Sequence, residues 1–128
     1  MFHNFSLIHD DIMDAAPLRR NKETVHQKWN ANVAILSGDA LLIEAYKQLG
    51  NYDPAILAQL FPIFNDTAIL VCEGQQSDMD FETSENVSIP AYIEVIRKKT
   101  AVLLGCSLQM GAIVGAAAEQ SAKQCYDF

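Results

Sequence analysis

Apolar residues recur along the chain at helical spacing rather than with the alternation of a strand. The apolar side chains of Phe5, Leu7, Ile8 and Ile12 predict a first helix from the start of the chain to about Asp14. The pattern predicts a second helix over about 32–49, which is apolar on so much of its surface that we expect it to be buried on several sides. Gly50 follows this second segment and provides the stop signal.

Capping residues mark the start of two more helices. Asp53 is a candidate N-cap with Pro54 in the first turn of a third helix, which extends to about Phe81 and which Pro62 kinks or splits. Ser88 is a candidate cap for a fourth helix that continues into an apolar segment rich in small residues. Residues 15–30 are predicted to form a polar, charged loop. Because no strand alternation or hairpin signal is present, the expected fold is all-α.

Composition limits the classes of function. The chain has 128 residues, half of them hydrophobic, with a net charge of −7 and a sequence pI of about 4.7. This acidity argues against nucleic acid or an anionic membrane as the main partner. The apolar stretches are interrupted before the roughly 18 residues of a membrane span, so no stable membrane insertion is expected. Cys72, Cys106 and Cys125 lack metal-ligand spacing, and Cys72 and Cys106 are expected to be buried free thiols in a reducing cytoplasm.

The strongest chemical signal is a group of three carboxylates on the first helix, followed by two arginines. Asp10 and Asp14 are four residues apart and therefore share a helix face, with Asp11 about 100° away. Oxygen ligands that leave room for water suit Mg²⁺, which commonly binds one or two carboxylates together with substrate phosphates. Arg19 and Arg20 supply forked donors that match phosphate oxygens. An aspartate string alone is a weak signal, but its combination with these arginines indicates a diphosphate site.

Four stretches in the same order resemble the trans-polyprenyl diphosphate synthases, the family of the farnesyl and geranylgeranyl diphosphate synthases. The similarity covers nearly the whole chain. It implies an all-α bundle of the isoprenoid synthase type, with 1–128 as a single domain from the central part of a longer protein, incomplete at both ends, because two diphosphate-binding motifs of the family lie outside it. The matching stretches are His3–Asp14 with Leu18–His26, Leu36–Asp39, Gly74–Asp80, and Lys99–Thr100.

The resemblance also implies a function and a set of site residues. Family members join an allylic diphosphate to isopentenyl diphosphate, use Mg²⁺, and form homodimers through helices in the region of 32–49. This protein is expected to be cytoplasmic. The residues carried over from the motifs are Asp10, Asp14 and, in support, Asp11 for metal; Arg19, Lys99 and Thr100 for the allylic diphosphate; His3 and Arg20 for isopentenyl diphosphate; and Gln75 and Asp78 for the cavity lining.

The resemblance bears on product length, and the chain differs from the usual family sequence at two positions. Family members set product length by bulk below the aspartates, so Phe5 is expected to form the floor of the chain-length pocket, with a geranylgeranyl or farnesyl product. Asn21 stands where the family usually has glycine and Glu23 where it usually has proline, which affects the geometry of the turn. His9 is expected to be structural.

Two other functions remain open at this point. A class I terpene cyclase uses a similar aspartate motif but needs no second diphosphate site, so Arg19, Arg20 and His3 argue against it. A non-catalytic subunit of a prenyl synthase dimer would not need to retain Asp10, Asp14, Lys99 and Thr100. The chain by itself is expected to be inactive.

Overall fold

The computed structural model describes residues 1–127, and the prediction of an all-α fold is confirmed for them. A two-stranded hairpin and a π-helical turn accompany the helices. The contacts within the chain group into two compact units, Met1–Asn51 and the segment from Tyr52 onward. The helices are α1 Phe2–Met13, α2 Val25–Lys28, α3 Ala31–Leu49, α4 Pro54–Glu82, α5 Ile89–Ile96, α6 Val102–Val114 and α7 Glu119–Asp127, the strands are β1 Leu18–Arg19 and β2 Lys22–Glu23, and the π-helical turn is Arg97–Ala101.

In the first unit, α1 packs against α3. A glycine makes this close contact possible, because a Cβ at Gly38 would collide with the His9 imidazole. His9 Nε2 lies 3.2 Å from the carbonyl oxygen of Ile35 and 3.6 Å from Asp39 Oδ1. These contacts fit the structural role expected for His9. Asn30 is the N-cap of α3, and its side chain accepts a hydrogen bond from the Val33 amide.

The hairpin corrects the prediction of an irregular loop over 15–30. Leu18 pairs with Glu23 and Arg19 with Lys22 in antiparallel register. The two linking residues, Arg20 and Asn21, both have positive φ, at 51° and 62°. A two-residue turn of this kind matches the twist of the strands, and asparagine tolerates its left-handed conformation. Sequence analysis missed the hairpin because each strand has only two residues and the turn contains no glycine.

In the second unit, α4 is the central helix and packs against α5, the π-helical turn and α6. Its buried side chains are spaced by four, three and four residues, at Leu60, Phe64, Thr67 and Val71. Pro62 does not split the helix, which is continuous from Pro54 to Glu82. Asp53 occupies the N-cap position as predicted, although its side chain makes no capping hydrogen bond. On the α6 side, Val102 and Cys106 are buried.

The predicted fourth helix is confirmed at its start and interrupted in its middle. Ser88 Oγ accepts a hydrogen bond from the Ala91 amide, as expected of a cap. The helix then widens into the π-helical turn before α6 begins. Sequence analysis did not predict α7, which packs on α6. Gly105 permits that contact, because a Cβ there would lie 2.7 Å from the carbonyl oxygen of Tyr126.

One sequence expectation about α4 was wrong, and the expectation of no stable membrane insertion stays a prediction. Cys72 is exposed rather than buried, whereas Cys106 is buried as expected. In addition, α4 is long and apolar enough to cross a membrane by length and composition, with a mean hydropathy of 1.7 over the relevant window, of which 22% is buried. Isolated polar residues interrupt the apolar runs but barely lower such an average. One helix of this kind is weak evidence for a membrane span, because core helices of globular domains have the same composition.

Candidate functional site

The three aspartates of the first unit lie at the C-terminal end of α1. Asp14 is the C-cap residue, and its amide donates a hydrogen bond to the carbonyl oxygen of Asp10 one turn earlier. Asp14 is exposed, whereas the Asp10 and Asp11 side chains are only 14% and 6% exposed. Because the C-terminal end of a helix carries a partial negative charge, these carboxylates add to a field that attracts cations.

Arg19 bridges two of these carboxylates with one guanidinium. Its Nε donates to Asp11 Oδ1 at 2.8 Å, and its Nη2 lies 2.7 Å from the same oxygen and 3.0 Å from Asp10 Oδ2. Charge-assisted hydrogen bonds in forked geometry are among the strongest that side chains form. The arrangement holds Asp10 and Asp11 side by side, although one positive charge does not neutralise two negative ones.

The hairpin presents Arg19 to the aspartates. The Ala16 amide donates to the carbonyl oxygen of Asp11 at 2.9 Å, which ties the start of the connection to α1. Thr24, which is 3% exposed, donates from Oγ1 to the carbonyl oxygen of Ala16 at 2.7 Å and closes the far end. β1 lies between these two anchors in the chain, and its Arg19 side chain reaches Asp10 and Asp11. Arg20, at the tip of the turn, is exposed to solvent.

The carboxylates fit a magnesium ion that shares its ligands with a substrate. Among residues 1–127, no group of three or more His, Cys, Asp or Glu side chains lies close enough to hold a metal on its own. Magnesium usually keeps several water ligands and binds through one or two carboxylates plus phosphate oxygens, so a closed protein cage is not required. The oxygen-only donors Asp10 and Asp14, one helical turn apart, match that type of site.

Two other predicted site residues lie on α1. His3 is exposed, and its carbonyl oxygen accepts a hydrogen bond from Ser6 Oγ. Phe5 is half-buried between two rings, with centroid distances of 5.4 Å to Phe2 and 4.8 Å to His9. Phe5 therefore lies in an aromatic row along α1, one to two turns before the aspartates.

The remaining predicted residues lie in the second unit, on α4 and the π-helical turn. Lys99 Nζ donates to Asp78 Oδ2 at 2.6 Å, which brings two of them into direct contact. Thr100 is exposed next to Lys99 in the same turn. The Gln75 amide nitrogen is buried and has no hydrogen-bond partner within the described part of the chain. Buried amide donors are nearly always paired, so this one is unusual.

Sequence analysis missed two neighbours of these residues. Lys98 forms an ion pair with Glu73, and its Nζ lies 2.7 Å from Glu73 Oε2. Gly74 is buried against the backbone of the π-helical turn, where a Cβ would lie 2.7 Å from the Lys99 amide nitrogen. The available signal was the glycine itself, since a glycine inside a helical pattern often has a packing reason.

Cys106, a buried thiol of the second unit, is not an activated nucleophile. Burial raises the pKa of the Cys106 thiol, and a hydrogen bond with Thr67 opposes part of that rise. A thiol with a raised pKa is protonated at neutral pH and reacts slowly. Cys106 therefore belongs to the core rather than to a catalytic site.

Comparison with known proteins gives a consistent result over the whole chain. The family model described as "Polyprenyl synthetase" matches residues 1–128. A geranylgeranyl diphosphate synthase of Methanosarcina mazei is 38% identical over 130 residues, covering 100% of this chain and 40% of that protein. The chain spans about 40% of the length of the curated relatives it matches.

Solved structures agree in both sequence and fold. A crystal structure of geranylgeranyl pyrophosphate synthase is 56% identical with a TM-score of 0.94, covering 98% of this chain and 38% of that one. The geranylgeranyl pyrophosphate synthetase from Pyrococcus horikoshii is 38% identical with a TM-score of 0.93, covering 98% and 39%. The fold described above is therefore shared with these proteins along nearly all of this chain.

Proposed function

Because the chain belongs to the polyprenyl synthetase family, we propose that the whole protein condenses an allylic diphosphate with isopentenyl diphosphate to make a short-chain polyprenyl diphosphate. The observation that carries this proposal is the cluster at the end of α1, where Arg19 lies across Asp10 and Asp11. A cation-attracting group of carboxylates beside a forked phosphate donor is what binding of a metal diphosphate requires. The geranylgeranyl synthase names of its relatives favour a short-chain product.

The chemistry demands stabilisation of a leaving group. The allylic C–O bond breaks with its electron pair passing to the diphosphate, the alkene of isopentenyl diphosphate attacks the resulting cation, and a proton is lost. Bound Mg²⁺ would act as a Lewis acid that neutralises charge on the departing diphosphate. The residues of the chain must position the phosphates and keep water from the cation.

The roles of the individual residues follow from their chemistry. Asp10 and Asp14 would hold Mg²⁺, with Asp11 supporting them through the guanidinium that it shares with Asp10. Arg19 would also donate hydrogen bonds to the allylic diphosphate. Lys99 and Thr100 would bind the same diphosphate. His3 and Arg20, both exposed, would bind isopentenyl diphosphate, and Gln75 and Asp78 would line the cavity.

Phe5 would limit the product length. Its ring lies between Phe2 and His9 on α1 and precedes Asp10 by five residues, so that a prenyl tail descending along the helix from the aspartates would meet it. Replacing Phe5 with alanine in the whole protein should lengthen the product. Chromatography of the dephosphorylated product checks this, and an unchanged product would eliminate Phe5 as the floor.

The whole protein would form a homodimer and would be located in the cytoplasm. Large apolar side chains of α3 are exposed, with Leu36 at 69%, Ile43 at 60% and Ile35 at 42%, and pairing with a second copy would bury them. The cysteines within the described residues are free thiols, which fits a reducing compartment.

Product analysis tests the proposed reaction. The whole protein is incubated with Mg²⁺ and dimethylallyl, geranyl or farnesyl diphosphate, each with and without isopentenyl diphosphate, and both diphosphate release and product length are measured. We expect a longer prenyl diphosphate that forms only when both substrates are present. A hydrocarbon formed from the allylic diphosphate alone would indicate a cyclase, and no turnover by the pure protein would indicate a non-catalytic subunit.

A further inference from the structure

The π-helical turn Arg97–Ala101 lies against α4 at a single glycine. A Cβ on Gly74 would lie 2.7 Å from the Lys99 amide nitrogen and 2.9 Å from the Lys98 carbonyl carbon. These are backbone atoms, which cannot move aside as the end of a flexible side chain can. Any larger residue at position 74 would therefore displace the turn itself. Single π-helical turns within α-helices are rare and occur frequently at functional sites.

The two adjacent lysines of this turn bind two different carboxylates of α4. Lys99 Nζ contacts Asp78 Oδ2 at 2.6 Å, and Lys98 Nζ contacts Glu73 Oε2 at 2.7 Å. The two lysine side chains are similarly exposed, at 28% and 23%, and so are the carboxylates, at 39% and 50%. The second pair is therefore a close structural match for the first, with a lysine to which the proposed function assigns no role.

We propose that Gly74 and Asp78 are positioning residues for Lys99. Gly74 fixes the backbone from which the side chain starts, and Asp78 holds the ammonium group at its other end. A lysine restrained at both ends loses less rotamer freedom when it binds a phosphate. This inference rests on the proposed function, in which Lys99 binds the allylic diphosphate, and adds how Lys99 is held ready.

Lysine labelling tests the ion pair without relying on turnover. The whole protein is treated with an amine-acylating reagent, and the rates at Lys98 and Lys99 are measured by peptide mass spectrometry. D78N should raise the Lys99 rate several-fold and leave Lys98 unchanged, whereas E73Q should do the reverse. Equal changes at both lysines in D78N would mean a general loosening of the turn and would overturn the proposal.

Protection by inorganic pyrophosphate with Mg²⁺ connects the pair to phosphate binding. In the wild type, pyrophosphate should slow acylation of Lys99, and D78N should shift the midpoint of this protection about tenfold to higher concentration. E73Q should not shift it. D78E, which keeps the charge, should restore most of the affinity. A D78N midpoint equal to that of E73Q would contradict a positioning role for Asp78.

Substitution of the glycine tests the backbone contact. G74A should speed amide hydrogen exchange across residues 97–101 and weaken pyrophosphate protection of Lys99. The matched control is G111A on α6, where a Cβ meets nothing within 4 Å. Unchanged exchange and protection in G74A would overturn the role of Gly74. If the wild type protects Lys99 but catalyses no condensation, the proposed function fails while the positioning role stands.

Discussion

The two units of the chain pair their charges in different ways. At the end of α1, one guanidinium serves two carboxylates that are largely buried, with the Asp10 and Asp11 side chains 14% and 6% exposed. On α4, each lysine of the π-helical turn has its own carboxylate, and those carboxylates are 39% and 50% exposed. The first arrangement leaves negative charge in excess, whereas the second is balanced.

This difference matches two tasks of the proposed diphosphate chemistry, binding of the metal and binding of the phosphates. A cluster with excess negative charge can attract a divalent cation, and its burial makes the electrostatic interactions stronger than at the surface. A balanced pair near the surface contributes little to stability, but it can hold a cationic side chain in one orientation. We therefore expect substitutions in the first unit to affect metal dependence and folding stability. Substitutions at Asp78 should affect affinity for phosphate instead.

The largest expected effect concerns the metal-binding role proposed for the first unit. D10N and D14N in the whole protein should each lower kcat/KM by about 10²–10³-fold, the scale for losing one strong stabiliser of charge in the transition state. Both should also raise the Mg²⁺ concentration needed for half-maximal rate. Steady-state kinetics over a Mg²⁺ series checks this. D53N is the control, because Asp53 is exposed, lies outside the aspartate motif and makes no side-chain capping hydrogen bond.

Unchanged kinetics in D10N or D14N would contradict the proposed difference between the two units. If D10N or D14N retained wild-type kcat/KM and Mg²⁺ dependence, the excess negative charge would have no metal-binding role. D78N provides the opposite reference, because it should raise the KM for the allylic diphosphate while leaving Mg²⁺ dependence unchanged.

The next effect concerns stability of the buried pair. R19A removes the partner of Asp11, whose side chain is 6% exposed, and should destabilise the fold by about 3 kcal/mol because it leaves a buried charge uncompensated. Urea unfolding checks this. The double variant R19A/D11N should recover part of the loss, since the buried charge is then gone. An equal loss in single and double variants would show that Arg19 acts through packing alone.

Helix packing in the first unit gives a smaller effect. G38A should destabilise by about 1–3 kcal/mol, because its Cβ would collide with the His9 ring and force α1 away from α3. Thermal unfolding monitored by circular dichroism checks this. The control is again G111A, which should be neutral or stabilising by up to about 1 kcal/mol, because alanine favours a helix more than glycine does. Equal behaviour of the two variants would mean that the contact yields easily.

The sequence predicted the regular parts of this structure better than the irregular ones. Caps and apolar spacing located the main helices to within one or two residues, and Ser88 caps α5 as expected. The Arg20–Asn21 turn was missed because its strands have only two residues each and the turn contains no glycine, whereas the π-helical turn was missed because it depends on contacts distant in sequence. Thr24 anchors the hairpin to Ala16, and Gly74 admits the π-helical turn. The aspartates and Arg19 were found together because their spacing along one helix and the following segment is local.

The smallest expected effect comes from an exposed pair in the second unit, Glu94 and Arg97. Arg97 donates to both Glu94 carboxylate oxygens, at 2.7 and 2.6 Å, and this bonding lowers the pKa of Glu94. A lowered pKa in the folded state contributes stability above the unfolded pKa, and the contribution is lost as pH falls through the folded pKa. Because solvent and salt screen this pair, E94Q should change the urea midpoint only slightly at pH 7 and not at all in strong acid.

Urea unfolding of wild type and E94Q at pH 7 and in strong acid measures the change in midpoint. Each measurement is repeated with 0.5 M salt, an ionic strength at which surface charges are largely screened. If E94Q proved as costly as R19A, forked geometry rather than burial would determine what an ion pair contributes in this chain. The contrast between the two units would then lose its physical basis, because Arg97 uses the same two guanidinium nitrogens, Nε and Nη2, toward Glu94 as Arg19 does toward Asp11, but that pair lacks the burial of Asp11. A small, salt-sensitive loss that disappears in acid would instead identify burial as the factor that makes the α1 cluster strong.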